Sequence, residues 1–278
     1  MAKKRTASWD MLLLLTAVIW GFAFVAQRMG MDHMGPFAFN GVRFLLGAVS
    51  LLPFIFINSA RKNRPVIPHD TRLFVIGGIA AGILVFLAAS FQQVGLIYTT
   101  AGNAGFITGL YMVIVPLMGL VLGQRTNIGT WLGVALAVAG LYLLSVRDFS
   151  MGLGDSLVLW GAFFWASQVL LIAWLSPKVE PLKLAFMEFL VCSVLSLIVA
   201  FWLETLVWED MVAAAIPLLY GGVASVGIAY TLQIFVQRKA HPTHAALIMG
   251  MEAVFAVLGG WLLLEEILTL RELAGCGL

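Results

Sequence analysis

Runs of about twenty apolar residues follow one another along this chain with only short polar breaks between them, and that succession limits the fold more than any single motif. A hydrocarbon layer about 30 Å thick is crossed by roughly 20 residues of helix. Nine stretches meet that requirement: 9–29, 36–57, 73–95, 100–122, 128–146, 156–175, 182–203, 212–237 and 244–264. A tenth run opens near Thr269 and reaches Leu278 at about half a span, which reads as a last helix cut short. Hydrophobic residues make up 62% of the chain and charged ones 11%, too little charge to clothe a water-soluble core of this size. The expected class is therefore all-α, a polytopic transmembrane helix bundle. The first run follows Lys3, Lys4 and Arg5 as a signal peptide would. It is nevertheless long enough to span and lacks a small-residue cleavage site, so it reads as a retained helix.

The basic residues sort between the two sides of such a bundle. Lys3, Lys4, Arg5, Arg61, Lys62, Arg64, Arg72, Arg125, Lys178, Lys183, Arg238 and Lys239 fall on one side, and Arg28, Arg147 and Arg271 on the other. The positive-inside rule makes the first side cytoplasmic and places the amino terminus there. The same asymmetry accounts for the net charge of +2 without a nucleic-acid partner. Cys192 and Cys276 fall inside spans and give neither a disulfide pattern nor a metal spacing.

The chain also repeats itself. At an offset of 145, Asp10 falls on Asp155, Trp20 on Trp165, Pro36 on Pro181 and Phe44 on Phe189; at 141, Gln92 falls on Gln233, Ala104 on Ala245, Ile107 on Ile248, Gly109 on Gly250 and Gly119 on Gly260. Two units follow, 9–146 with helices 1 to 5 and 153–278 with helices 6 to 9 and the start of helix 10. A unit with an odd number of spans returns to the membrane from the opposite side when it is repeated. The result is an inverted repeat, an architecture of secondary transporters in which the substrate lies near mid-membrane between the halves.

Three segments carry a resemblance. His241–Glu266, HPTHAALIMGMEAVFAVLGGWLLLEE, looks like the ninth helix of the EamA family of the drug/metabolite transporter superfamily. Tyr98–Tyr111, YTTAGNAGFITGLY, resembles the fourth helix of the same unit, and Asn40–Leu46, NGVRFLL, matches the family's arginine-phenylalanine pattern in helix 2. Ala253 departs from the proline that often follows the helix 9 acid in that family, and Gln124-Arg125 from the acidic end of helix 4. The resemblance covers almost the whole chain. It implies a carrier of small organic metabolites in a bacterial inner membrane, with helices 1, 3, 4, 6, 8 and 9 lining a central cavity.

Charge at membrane depth costs several kcal/mol unless it is paired or hydrated, which singles out Arg43, Glu188 and Glu252 as coupling or gating candidates. Arg43 and Glu188 are repeat counterparts, but inversion puts one toward the outer and the other toward the inner third, so a direct pair is not expected. Each has an alternative role, in which it snorkels to its nearer headgroups. Glu252 lies eight residues past His244, about 12 Å deep at 1.5 Å per residue, and stands where the first unit has Tyr111. Its functional reading is proton exchange during transport, and its structural one is an acid that holds helix 9 to its neighbours.

Uncharged polar groups mark faces by helical spacing. Thr16, Trp20, Ala23 and Gln27 share one on helix 1, and Trp165 and Gln168 share its counterpart on helix 6. Thr100, Asn103, Thr108 and Tyr111 form an arc on helix 4. Tyr230, Gln233 and Gln237 share a face of helix 8, and Gln92 is the helix 3 counterpart of Gln233. Together they outline a polar cavity with aromatic walls, suited to an amphipathic solute such as an amino acid. Interhelical hydrogen bonding is the alternative role for each Gln and Asn, and packing for each aromatic ring. Ala101, Gly105 and Gly109, with the Gly119/Gly123 and Gly129/Gly133 pairs, predict close helix approaches. Pro116 has no counterpart in the second unit and predicts a bend in one half alone.

Competing classes leave fewer traces. Gly152-Leu-Gly-Asp155 matches the GxGD signature of intramembrane aspartyl proteases, but no Tyr-Asp pair exists to supply a second aspartate, and the Asp10 counterpart marks Asp155 as a helix start. The sequence has no HExxH and no GxxxxGK[ST], and Val223-Ala-Ser-Val-Gly227 matches GxSxG only in part. Neither a cofactor nor a metal is implied. The partners expected are a small-molecule substrate, the lipid bilayer and coupling protons; a channel or scaffold is the alternative to a carrier. The oligomeric state is open.

Overall fold

Hydrocarbon offers no hydrogen-bond partners, so a chain that crosses it has to satisfy its backbone within itself. The computed structural model of this chain meets that demand with helices and, among the described residues, no strand. It describes residues 2–60, 70–124, 128–145, 152–267 and 269–277. Arg61, Lys62, Arg64, Arg125 and Arg147, with the side chains of Lys3, Lys4 and Arg5, lie outside what is described.

In chain order the helices are α1 (Ala2–Gly30), α2 (Pro36–Ala60), α3 (Thr71–Gly95), α4 (Ala101–Gly109), α5 (Tyr111–Val121), α6 (Ile128–Ser145), α7 (Leu153–Leu175), α8 (Pro181–Leu203), α9 (Trp208–Ala213) and α10 (Ala215–Leu219). A π-helical segment follows over Tyr220–Tyr230, then α11 (Thr231–Gln237), α12 (Pro242–Met249), α13 (Glu252–Leu263) and α14 (Leu270–Gly277). With α4 and α5, α10 to α11, and α12 and α13 taken as single spans, eight spans among the described residues are long and apolar enough to cross a membrane. The protein is a polytopic helical bundle. The run that begins near Thr269 is present as α14, which lies against α6.

The helix starts follow their sequence signals. Asp70 caps α3 by accepting from Leu73 N, Thr100 caps α4 by accepting from Asn103 N, and Pro181 and Pro242 open α8 and α12. Asp155 sits in the first turn of α7, where Oδ2 accepts from Gly152 N at 3.3 Å. The start of α2 is served from elsewhere. Glu204, at the end of α8, accepts from Phe37 N at 2.9 Å and from Ala38 N at 2.7 Å.

Packing follows the repeat. α2 runs along α8, α3 packs on α7 and α8, α1 and α2 pack on the π segment, α4 and α5 meet α7, and α1 meets α12 and α13. When each helix is exchanged for its repeat counterpart, the same neighbour relations return. Outward-facing side chains such as Phe54, Phe56, Val121, Phe201 and Trp202 are mostly exposed, an apolar belt that lipid would cover.

Three spans read as continuous from sequence are interrupted. The fourth breaks between α4 and α5 at Leu110, and the ninth between α12 and α13 at Gly250-Met251. In both the turn tightens: Leu110 N donates to Ile107 O and Met251 N to Ile248 O, each at 3.2 Å. These are the same repeat position (110 and 251), so this interruption is common to both halves. Pro116 itself sits inside α5. The eighth span, read as 212–237, begins at Ala215, with α9 separate, and carries the π segment.

Of the small-residue pairs, Gly105 serves a close approach, since a Cβ there would stand 2.5 Å from Ala256 Cβ. Gly123 does not. It has φ +76° and no atom within 4 Å of a built Cβ, so it ends α5 as a left-handed turn residue. A tight crossing that the spacing missed lies at Gly21, where a Cβ would lie 2.3 Å from Phe255 Cβ and 2.7 Å from Glu252 O. Backbone atoms cannot swing aside, so α1 and α13 would have to separate. Gly21→Ala should cost about 1–3 kcal/mol in thermal melts of the detergent-purified protein. Gly133→Ala, which would meet only Leu247 Cδ1 at 3.7 Å, should leave the melt unchanged.

Candidate functional site

The polar faces converge on a cavity in the middle of the bundle. α1 contributes Trp20, Ala23, Phe24 and Gln27; α2 Arg43; α3 Gln92; α4 and α5 Thr108 and Tyr111; α7 Trp165, Gln168 and Val169. The eighth span adds Ser225, Tyr230 and Gln233, and α13 adds Glu252. Every helix that the resemblance implied is represented, and α2 joins them through Arg43. Water-sized spheres can be centred within about 30 Å³ of this space, room for about two waters.

Three aromatic rings form one wall. Tyr230 stands 4.6 Å from Trp20 and 5.7 Å from Trp165 between ring centroids, so it is wedged between the repeat-equivalent tryptophans. The Trp20 indole donates to Ser225 O at 3.4 Å, and the Trp165 indole to Gln92 Oε1 at 2.8 Å.

Two glutamine clusters line the rest. Gln92 Nε2 donates to Gln27 Oε1 at 3.0 Å, and its Oε1 also accepts from the Thr108 hydroxyl at 3.4 Å. Its counterpart Gln233 donates to Gln168 Oε1 at 3.1 Å, and Gln168 Nε2 donates to Glu188 Oε1 at 2.8 Å. Gln92 is fully engaged, whereas Gln233 Oε1 and Glu188 Oε2 are buried with no partner. Tyr111 and Glu252 lie side by side and start equivalent helices, α5 and α13. The Tyr111 hydroxyl and the Glu252 carboxyl interact with each other, and neither the hydroxyl nor Glu252 Oε1 has a further partner.

The three intramembrane charges are all inside the protein, at 2% exposure for Arg43, 0% for Glu188 and 3% for Glu252. Neither Arg43 nor Glu188 snorkels to a headgroup, because each is held by a neighbour. Arg43 Nε donates to Asn40 Oδ1 at 2.9 Å, and Glu188 bonds Gln168. Glu188 supports the lining through Gln168 and does not itself line the cavity.

Asn103 is not brought to the cavity either. Five residues separate it from Thr108, which at 100° per residue puts it about 140° round the helix. Thr16 turns back to Leu12 O at 3.0 Å, and Gln237 donates to Val169 O at 3.4 Å. Phe24, Val169 and Ser225 line the cavity and were not singled out by spacing. For Ser225 the reason is geometric. It is five residues from Tyr230, a separation that faces one way only when the helix makes i→i+5 turns, as this segment does. Among the described residues no group of three or more His, Cys, Asp or Glu could hold a metal ion.

Comparison with known proteins agrees with this geometry. The EamA-like transporter family model matches residues 7–146 and again 152–278. A protein of Archaeoglobus fulgidus named an uncharacterized transporter is 35% identical over 261 residues, which cover 94% of this chain and 79% of that protein. The Bacillus subtilis transporter YoaV is 21% identical over 95% of this chain and 91% of its own length. A solved crystal structure shares the fold at a TM-score of 0.71 and 17% identity, covering 97% of this chain and 92% of that one. Its low identity carries the fold and nothing more. The two family matches, the helical bundle and the central cavity together identify this chain as a member of the EamA-like transporter family, a membrane transporter of the drug/metabolite transporter superfamily.

Proposed function

We propose that the protein is a secondary transporter that exports a small organic solute across a bacterial inner membrane by alternating access, with its amino terminus in the cytoplasm. The observation that carries this reading is the central cavity. It is lined from both repeat units, and its space of about 30 Å³ is too small for a metabolite, so the halves must part to admit one. The aromatic wall of Trp20, Trp165 and Tyr230, beside unpartnered polar atoms, suits an amphipathic solute such as an amino acid.

The ends of the bundle supply matching ties between the halves. Asp10 Oδ1 meets His244 Nε2 at 2.9 Å, and Asp155 Oδ1 accepts from the Thr99 hydroxyl at 2.8 Å. The two aspartates are repeat counterparts and so sit at opposite faces. Rocking would release one tie while the other holds, which gives two alternate openings around one site. Glu252 is the coupling group in this scheme. Its side chain lines the cavity beside Tyr111, where it can take up a proton in one orientation and give it back in the other.

Two measurements test this reading. In liposomes carrying a pH gradient, screened against labelled metabolites, uptake should be saturable, and Glu252→Gln should lower the gradient-driven component by more than tenfold while the protein still folds. Unchanged gradient-driven uptake removes Glu252 from coupling, and discrete single-channel currents replace the carrier with a pore. For orientation, a membrane-impermeant maleimide on intact cells should label Asp32→Cys in a cysteine-free background. Lys178→Cys should react only after permeabilisation; the opposite pattern reverses the topology.

A further inference from the structure

Arg43 is a buried cation whose counter-ion is missing. Among the described residues no carboxylate lies within 4.0 Å of it, and the ion pairs found there are Lys183–Glu180 and His244–Asp10. Glu188 is committed to Gln168. Glu252 lines the same cavity without pairing with Arg43, and Tyr230 is within electrostatic reach of both. A guanidinium kept charged inside a membrane protein is costly unless something pairs with it.

The surroundings hold this side chain in place without neutralising it. Asn40 Nδ2 donates to Ala89 O at 3.1 Å, which fixes the amide so that its Oδ1 can receive Arg43 Nε. The guanidinium carbon stands 4.9 Å from the Phe44 ring centre and 5.8 Å from that of Phe39. Gly221 leaves room for the stem, since a Cβ there would sit 3.4 Å from Arg43 Cδ. Nε is the donor with a partner, and Arg43 lines the cavity.

We propose that Arg43 is the anchor for the carboxylate of the transported solute. A planar guanidinium with free donors matches a carboxylate with two parallel hydrogen bonds. The lining holds Arg43 and Glu252; with Glu252 protonated, a singly charged anion balances Arg43, whereas a phosphate dianion leaves charge uncompensated. The solute's far end then faces the Tyr111–Glu252 pair and the unpartnered Gln233 Oε1, where a hydrogen-bond donor fits. The aromatic wall covers the part between. This inference rests on the transporter reading and narrows its substrate to carboxylate-bearing solutes.

The test uses the purified full chain and a panel of aliphatic and aryl carboxylates with an amine or hydroxyl at the far end, each paired with its own carboxamide. Binding is read by quenching of tryptophan fluorescence and by thermal stabilisation. In the unmodified protein at least one carboxylate should bind tenfold or more tightly than its amide, a comparison that needs no variant. Arg43→Gln should reduce that preference to less than threefold, and Arg43→Lys should keep an intermediate one. Equal binding of acid and amide, binding by no carboxylate of the panel, or a preference that survives Arg43→Gln overturns the proposal. Saturable counterflow of amides that ignores Arg43→Gln overturns the anchor while leaving the carrier intact. Tight, Arg43-dependent carboxylate binding without saturable flux supports the anchor and sinks the transporter reading instead.

Discussion

Everything in this structure depends on the inability of hydrocarbon to hydrogen-bond. Backbone groups are satisfied inside helices, and the polar side chains that the spans carry have nowhere to go except toward one another. That is why Gln27, Gln92, Gln168, Gln233, Arg43, Glu188 and Glu252, spread over the spans, are all buried. That sequestration is not complete. At the cavity, Gln92 spends both ends of its amide on neighbours, whereas Gln233 Oε1 has no partner and Tyr111 and Glu252 face each other. Buried polar atoms without partners also occur away from the cavity, at Ser90, Gln93, Ser176 and Ser196.

The repeat provides a common frame with different chemistry in each copy. The tightened turns at Leu110 and Met251 occupy one position of the unit and deliver Tyr111 in one half and Glu252 in the other. Arg43 and Glu188 are likewise counterparts, but one opens onto the cavity and the other is tied to Gln168. At the two faces, equivalent aspartates meet a histidine on one side and a threonine on the other. The two ties match in position and differ in chemistry.

Much of the site was legible because its signal is strong in this solvent. A Trp, Gln or Glu inside a long apolar run has to face protein, and the spacing of Trp20 to Gln27 or Trp165 to Gln168 puts them on one side of a regular helix. Legibility failed where the helix is not regular. Ser225 aligns with Tyr230 only through the π turns, and Asn103 lies on the wrong side of α4. It failed again for Arg43. Depth from the nearer surface suggested a side chain that could reach headgroups, whereas Asn40 and the rings of Phe39 and Phe44 draw it inward.

The sequence by itself determined that this chain is a helical membrane bundle, which side of most helices is polar, and which positions correspond between repeats. These follow from length, hydropathy and self-similarity, all of which are local or one-dimensional. Tertiary structure decided the rest. Only packing of α1 against α13 at Gly21, and of Tyr230 between Trp20 and Trp165, brings residues from seven separate spans around one space. Only then does it emerge which polar atoms find partners and which, like Gln233 Oε1, do not. Partnership is a property of distances between spans, and no run of sequence contains it.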